Sequence, residues 1–152
     1  MAIWFSNPTL EQIQANSANT LVEHLGIEFV ELGEDYIRGR MPVDARTVQP
    51  MRILHGGASV ALAETLGSVA ANLCVDPERQ ACVGLEVNAN HVRAAREGNY
   101  VYGTARPVHI GGSTQVWEIR IEDEQGRLTC ISRLTMAVLD LNSDTRTRRR
   151  AA

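Results

Sequence analysis

The residues best placed to do chemistry stand in one apolar stretch, ILHGGASVALAETLGSVAANLCV, at positions 53–75. Glu64 is the only acidic residue in this stretch, which contains no Lys or Arg. A carboxylate inside a buried apolar helix is costly to ionise, and such environments are frequent around catalytic acids and bases. A structural glutamate paired with an arginine or with backbone gives the same pattern, so composition alone leaves both interpretations open.

The start of the stretch, His55-Gly56-Gly57, adds a second chemical feature. Exposed backbone N–H groups at a helix N-terminus stabilise developing negative charge, and Gly56 lets a ligand approach the backbone closely. An oxyanion site needs both properties. Glu64 can then supply the base or the nucleophile for the same reaction.

The spacing of these groups predicts a site made by two chains. Gly56 and Glu64 are eight residues apart, which is about 12 Å along a helix at 1.5 Å per residue. One helix cannot bring both groups to the same carbonyl carbon, whereas two antiparallel helices related by a two-fold axis can. We therefore expect a homodimer with two identical active sites shared between the subunits. The sequence does not choose between a dimer and a dimer of dimers.

Two short helices are expected ahead of the first strands. Asn7-Pro8 is typical of a helix start, with Asn as the cap and Pro at the first helical position. Thr20 and Glu23 have the spacing of a capping box, and Gly26 is placed to end that second helix.

Six β-like segments flank the long apolar stretch, two before it and four after it. The fifth of them alternates Trp117, Ile119 and Ile121 with charged residues, as a half-buried strand requires. Links of hairpin length, such as EQGR, indicate an antiparallel sheet. The six segments are IEFVEL, YIRGRMPV, CVGLEVNANHV, YVYGTARPVHI, TQVWEIRIED and LTCISRLTMAVLDL.

This order predicts an α+β fold in which a curved antiparallel sheet wraps around one long central helix. Because that helix is apolar on all sides, we expect it to be buried. No repeat or linker divides the chain, so residues 1–140 are assigned to a single domain. The Arg-rich tail at 141–152 is expected to be disordered and solvated, with phosphate contact as the weaker alternative.

The composition excludes several function classes. The 152-residue chain has a formal charge of −3 and no lysine, which argues against a nucleic-acid partner and rules out lysine chemistry. Its three cysteines include no CxxC pair, so we expect neither a disulfide framework nor a metal site. Gly, Ala and Ser make up half of residues 55–74, which argues against a membrane span. The N-terminus lacks the features of a leader, so a cytoplasmic location is expected.

Two longer segments carry a resemblance to a known family. They are MPVDARTVQPMRILHGGASVALAETLGSVAANLCV and VGLEVNANHVRAAREG. They closely resemble the hotdog-fold acyl-CoA thioesterases, in the subgroup of the 1,4-dihydroxy-2-naphthoyl-CoA thioesterase and the enterobactin-pathway proofreading thioesterase. The resemblance extends from about Ile27 to Leu139. It implies a hotdog fold and the hydrolysis of an acyl-CoA whose acyl group is aryl or hydroxyaryl.

The resemblance also implies a role for each matching residue. Glu64 is similar to the catalytic carboxylate, which attacks the thioester or activates water. The Gly56 N–H, together with the side chains of His55 and Gln49, resembles the group that binds the thioester carbonyl. Ser68 resembles the residue that orients the carboxylate or the water. Contacts with the CoA arm are implied for His91, Arg93, Arg106, His109 and Ser113.

No cofactor is implied, since CoA is part of the substrate. The implied partner is an acyl-CoA or an acyl-carrier-protein thioester. Surface, capping or packing roles are the alternatives at the individual site positions. Two other classes stay open from the sequence: a hotdog hydratase or dehydratase, and a non-catalytic acyl-CoA-binding module on the same fold.

One position departs from the family pattern. Related sequences read Pro-Phe-Gly-Leu-Leu-His before the helix, where residues 50–55 of this chain read Pro-Met-Arg-Ile-Leu-His. Arg52 thus replaces a glycine at the lip of the expected pocket. The difference bears on the acyl specificity more than on the type of reaction.

Overall fold

The computed structural model describes residues 1–142 and arranges them as three helices and one six-stranded sheet. In chain order the elements are α1 (Leu10–Ala15), α2 (Leu21–His24), β1 (Glu28–Leu32), β2 (Ile37–Pro42), α3 (Gly56–Leu73), β3 (Gln80–His91), β4 (Tyr100–Ile110), β5 (Thr114–Asp123) and β6 (Leu128–Asp140). The predicted order of helices and strands is confirmed. All but the first two residues of the predicted tail, 141–152, lie outside the described residues.

The sheet has the strand order β1-β2-β4-β5-β6-β3, and every neighbouring pair is antiparallel. Strands β4 to β6 follow one another as hairpins. Strand β3 lies beyond β6, at the far edge, because α3 first carries the chain across the sheet. Register shifts at Gly84/Glu86 in β3 and at Pro107/His109 in β4 are β-bulges, which bend a sheet and increase its twist.

The first helix starts two residues later than predicted. Thr9, and not Asn7-Pro8, caps α1: its hydroxyl accepts from the Gln12 N–H at 3.2 Å, and the Gln12 side-chain oxygen accepts from the Thr9 N–H at 2.9 Å. This reciprocal capping box satisfies two backbone donors at once. Asn7 offers only the single bond of a simple cap, which explains why the prediction was wrong.

The second helix starts at the predicted cap. The Thr20 hydroxyl accepts from the Val22 N–H at 3.2 Å, and Gly26 follows the helix with a φ of 68°, the left-handed region that favours glycine. A capping box would also require the Glu23 carboxylate to accept from the Thr20 N–H, and this bond is not formed. The Glu23 carboxylate reaches one residue further back and accepts from the Asn19 N–H at 2.6 Å.

Helix α3 packs one face against strands β2 to β6. At its centre Leu66 fits over two glycines, Gly39 of β2 and Gly103 of β4, which are direct register partners. A Cβ atom added at Gly39 would lie 2.8 Å from a Leu66 methyl carbon, and one at Gly103 would lie 2.6 Å from the other. The paired glycines therefore let the helix approach the sheet closely. The buried residues of α3 are Ala58, Ser59, Leu62, Ala63, Leu66, Gly67, Ala70 and Ala71.

The opposite face of α3, here termed the open face, is not covered within one chain. The prediction that the helix would be buried on all sides is therefore wrong for the single chain, because the sheet covers only one side of it. No helix within residues 1–142 has the length and apolar character needed to cross a membrane. The exposed or half-buried residues of the open face are Ala61, Glu64, Thr65, Ser68, Val69 and Asn72.

Truncating Leu66 tests the contact that seats the helix. Leu66→Ala leaves a cavity above the two glycines, so the free energy of unfolding should fall by about 2–5 kcal/mol in urea denaturation. Leu141→Ala is the matched control, since Leu141 is 51% exposed, and its effect should stay within about 0.5 kcal/mol. Small and equal losses in both variants would contradict the packing role of Leu66.

Candidate active site

His55 and the two glycines after it form the N-terminus of α3. His55 is the N-cap residue, and its Nδ1 accepts a hydrogen bond of 2.8 Å from the Gly57 N–H. Because Nδ1 is the acceptor, the ring proton lies on Nε2, and this exposed side chain can donate from there to a ligand. The Gly56 N–H has no partner within the helix. The N-terminus therefore offers two donors where negative charge is favoured.

Gln49 lies in a tight turn just before the helix. The turn is closed by a bridge between Val48 and Leu54, and by bonds of 2.9 Å from the Gln49 N–H to the Ile53 carbonyl and from the Arg52 N–H to the Gln49 carbonyl. The Gln49 side-chain oxygen accepts from a backbone N–H inside the turn. Its Nε2 group is therefore the donor that the side chain can direct to a ligand.

Gln49 and Gly56 border a cavity of about 420 Å³, here termed the clamp cavity, whereas the His55 side chain does not line it. His91, at the end of β3, lies against the helix N-terminus: a Cβ added at Gly56 would be 2.9 Å from His91 Nε2. The structure thus brings together four of the predicted site residues, Gln49, Gly56, His91 and Arg93. The cavity is lined by Gln49, Ile53, Leu54, Gly56, Ser59, His91, Val92, Arg93, Ala94, Ala95 and Thr129.

Glu64 and Ser68 lie in a different cavity of about 520 Å³ on the open face of α3, here termed the carboxylate cavity. Glu64 is exposed in the single chain, so the expectation of a buried carboxylate is wrong for one chain. The predicted Ser68 lies one turn further along, where its hydroxyl is 3.8 Å from the Met136 sulfur. The cavity is lined by Leu21, Val22, Gly57, Val60, Ala61, Glu64, Thr65, Ser68 and Val69.

Two residues that sequence reasoning did not assign to the site position the Glu64 carboxylate. A Cβ added at Gly84 would lie only 2.8 Å from Glu64 Oε1, so this glycine leaves the space that the carboxylate occupies. Asn72 holds the same strand against the helix, accepting from the Cys82 N–H at 2.8 Å and donating to the Cys82 carbonyl at 3.0 Å. A glycine that interrupts the apolar run CVGLEV was the available signal, because such glycines often mark a close approach.

Three of the predicted CoA-binding residues lie outside both cavities of the single chain. Arg106 donates to Asp35 at 2.7 Å and stacks on Tyr36, 4.4 Å from the ring centroid. His109 is at the end of β4 and Ser113 is in the turn that follows. Their assignment to the CoA arm stays a prediction.

The cysteines are poorly suited to act as nucleophiles. Burial raises the pKa of the Cys74 thiol to about 12 and raises the pKa values of Cys82 and Cys130 as well. A protonated thiol is a weak nucleophile. None of the three lines the clamp cavity or the carboxylate cavity. Among the residues that line the two cavities, Glu64 is the one carboxylate.

A helix N-terminus with aimed donors and a carboxylate on the same helix are the parts needed for acyl transfer to water. The family model of the thioesterase superfamily matches residues 51–130 of this chain. The chain belongs to the thioesterase superfamily. It is an enzyme that hydrolyses thioesters, which supports the first of the three classes left open by the sequence.

Individual relatives agree with this assignment. The chain is 54% identical over 137 residues to the 1,4-dihydroxy-2-naphthoyl-CoA hydrolase of Escherichia coli, covering 90% of this chain and 99% of that protein. It is 53% identical over 137 residues to the proofreading thioesterase EntH of Cronobacter turicensis, covering 90% and 98%. The crystal structure of a mutant thioesterase from Pseudomonas aeruginosa superposes with a TM-score of 0.90 at 48% identity, covering 92% and 100% of the two chains. The predicted hotdog thioesterase resemblance is confirmed.

Adding one methyl group at Gly84 tests whether the Glu64 carboxylate sits where the reaction needs it. Gly84→Ala places a Cβ against Glu64 Oε1, so the carboxylate must move. Since a displacement of about 1 Å can cost about 100-fold in rate, kcat for thioester hydrolysis should fall by about 10- to 100-fold while KM changes little. Gly112→Ala is the control, because a Cβ there meets nothing within 4 Å. Unchanged kcat in Gly84→Ala would separate Glu64 from the chemistry.

Proposed function

We propose that this enzyme hydrolyses an aromatic or hydroxyaromatic acyl-CoA to the free acid and CoA. The observation that carries the proposal is the arrangement of α3, whose N-terminus presents aimed donors while its open face presents Glu64 beside an apolar cavity. The name of one relative supports the substrate class, since that protein is a 1,4-dihydroxy-2-naphthoyl-CoA hydrolase.

The thioester carbonyl oxygen is held at the N-terminus of α3. It accepts hydrogen bonds from the Gly56 N–H and from the side chains of His55 and Gln49. The same donors become stronger partners as the oxygen gains negative charge, which lowers the barrier to attack. The helix dipole adds to this stabilisation within the first turn. His91 and Arg93 border the clamp cavity. In the proposed complex these two side chains contact the CoA arm.

Glu64 acts on the carbonyl carbon by one of two routes. As a nucleophile, a carboxylate oxygen attacks the carbon, the C–S bond breaks, CoA leaves as a thiolate, and water hydrolyses the resulting anhydride. As a base, Glu64 takes a proton from water, the hydroxide attacks, and the proton passes to the departing thiolate. Both routes consume one water and release one acid and one CoA.

The acyl group occupies the carboxylate cavity. Leu21, Val22, Val60 and Val69 offer apolar walls suited to a ring, and the cavity volume is about 520 Å³. The hydroxyl groups of Thr65 and Ser68 lie in the same cavity and offer partners to polar ring substituents or to the attacking water. An apolar pocket with a few convergent polar groups favours hydroxyaryl over purely aliphatic acyl groups.

Replacing the carboxylate by an amide tests the reaction itself. Glu64→Gln keeps the shape but removes the nucleophile or base, so kcat should fall by about 10²–10⁴-fold with KM little changed. Free CoA is followed with a thiol reagent over a panel of aryl, hydroxyaryl and aliphatic acyl-CoA and acyl-carrier-protein thioesters. Glu78→Gln, an exposed glutamate outside both cavities, is the control. Release of CoA by Glu64→Gln at the wild-type rate would reduce Glu64 to a structural residue.

The active site is completed by a second copy of the chain. Gly56 and Glu64 border different cavities of one chain, and they are separated by about 12 Å along α3. The open face of α3 and the 61% exposed Leu21 leave apolar surface uncovered. A two-fold arrangement with antiparallel helices covers this surface and brings Glu64 of one subunit to the helix N-terminus of the other.

The edge strand β3 supplies the matching contact. Its outer edge pairs with no strand within residues 1–142, and its Val83 and Leu85 are 44% and 62% exposed. Within one chain, Glu64 lies beside Gly84 and Gly56 lies beside His91. If two β3 strands pair antiparallel with Gly84 opposite His91, each Glu64 approaches the other chain's Gly56, and the ladder of residues 84–91 fits inside the strand.

Mixing two defective chains tests the shared site. One chain carries Glu64→Ala and the other carries Gln49→Ala with His55→Ala, each with its own tag. In the heterodimer one site inherits every defect and the other inherits none, so about half of the wild-type kcat per dimer should return. Each homodimer alone should stay nearly inactive, since one lost carbonyl donor costs about 10²–10³-fold.

The heterodimer is isolated over both tags, and its mass and melting temperature are checked before assay. A site contained within one chain cannot recover, because each chain brings its own damaged half. An intact heterodimer without recovered activity would therefore overturn the two-chain site while leaving thioester hydrolysis itself untouched.

A further inference from the structure

Arg52 holds a backbone conformation that glycine would adopt more readily. Its φ is 60°, in the left-handed region, and it is one of two non-glycine residues within positions 1–142 with positive φ. Side chains with a Cβ are strained in this region. A residue that keeps such strain is held there by its surroundings, so the contacts of the Arg52 side chain need an explanation.

Those contacts join the two chain segments that supply the walls of the clamp cavity, although neither Arg52 nor Glu97 lines the cavity itself. The Arg52 guanidinium pairs with both oxygens of Glu97, with Nε 2.8 Å from Oε2. The backbone follows the same path: Ile53 bridges Arg96, and the Leu54 N–H donates to the Ala95 carbonyl at 2.8 Å. One wall of the cavity is the turn that contains Gln49, and the other is the segment 92–95.

We propose that the Arg52–Glu97 pair is a positioning device for Gln49. The pair, here termed the latch, holds the Gln49 turn against the segment that follows β3 and so sets where the Gln49 amide points. The proposal rests on the proposed function, in which that amide donates to the thioester carbonyl. A bidentate guanidinium–carboxylate pair fixes direction as well as distance, which suits this role.

The latch acts through Gln49 and does not touch the reacting atoms. A loosened turn would still let the substrate bind, since the acyl group and the CoA arm contact other residues. Stabilisation of the developing oxyanion would suffer, because it depends on a donor held within a fraction of an ångström. Breaking the latch should therefore lower kcat by about 10-fold and leave KM within about twofold.

Arg52→Gly separates positioning from folding. Glycine relieves the strained backbone, so the melting temperature of this variant should be equal to or above that of the wild type. Its kcat should nevertheless fall by about 10-fold, because the guanidinium is gone. If the Arg52 side chain served only to stabilise the fold, kcat would change in the same direction as the melting temperature, so a variant as stable as the wild type would keep its kcat. Wild-type kcat in Arg52→Gly would overturn the proposal.

Glu97→Gln, the double variant and a conservative variant complete the test. Glu97→Gln and Arg52→Gln should lower kcat by the same factor, because each removes the same ion pair. The double variant Arg52→Gln/Glu97→Gln should lose no more kcat than either single variant. Arg52→Lys should recover part of the loss. Arg40→Gln, which breaks the exposed pair between Arg40 of β2 and Glu28 of β1, should leave kcat unchanged. Losses that add in the double variant would contradict the latch.

Hydrogen exchange gives a measurement that does not depend on catalysis. Amides of residues 49–54 should exchange faster in Arg52→Gln and Glu97→Gln than in the wild type, whereas those of β5 should not change. If the wild-type protein released no CoA from any aryl or hydroxyaryl acyl-CoA, the proposed function would be refuted, and the hydrogen-exchange result would still test the latch. Unchanged exchange in residues 49–54 would refute the latch alone.

Discussion

The close approach of α3 to the sheet is the constraint on which the rest of the structure depends. Leu66 enters the space left by the paired glycines Gly39 and Gly103, and this contact sets both the height and the rotation of the helix. Once the rotation is set, the helix has one buried face and one open face. The same rotation directs Glu64 away from the core, although it stands in the most apolar segment of the chain. Core packing and the position of the carboxylate thus both depend on how this helix packs against the sheet.

Two further glycines shape the site by what they leave out. Gly56 gives room to the His91 ring, and Gly84 gives room to the Glu64 carboxylate. In both places a β3 residue meets a residue of α3, so the two halves of the site lie along one strand, at Gly84 and at the last residue, His91. Asn72 fixes the helix to this strand through two bonds with Cys82. An edge strand is therefore a suitable place for a second chain to pair. Pairing of two β3 strands would bring the Glu64 half of the site in one chain close to the Gly56 half in the other.

Local patterns predicted most of the fold and the start of the long helix. The long helix, the six strands and the N-terminal position of His55-Gly56-Gly57 followed from periodicity and from glycine placement, which are properties of neighbouring residues. The place of β3 beyond β6 and the contact of Gly84 with Glu64 join residues far apart in the chain, and periodicity does not encode them. The expected burial of Glu64 failed for a related reason. Composition shows that the segment of α3 is apolar, but it does not show which face of the helix packs against the sheet. Glu64 lies on the face that the sheet does not cover.

Arg52 replaces the glycine of related sequences at a position where the backbone has a positive φ. The resemblance placed a glycine where this chain has an arginine, and the structure gives that position a φ of 60°. Glycine suits the turn through its freedom, whereas arginine suits it only if its side chain finds a partner that offsets the strain. Glu97 is that partner, and it lies two residues beyond the segment 92–95 that lines the clamp cavity. In this chain the Arg52–Glu97 pair adds a long-range side-chain contact to the backbone bonds that close the turn of Gln49, and a glycine at position 52 would lack that contact. The turn that carries Gln49 and the segment after β3 are therefore joined here by a side-chain pair as well as by the backbone contacts of Ile53 and Leu54.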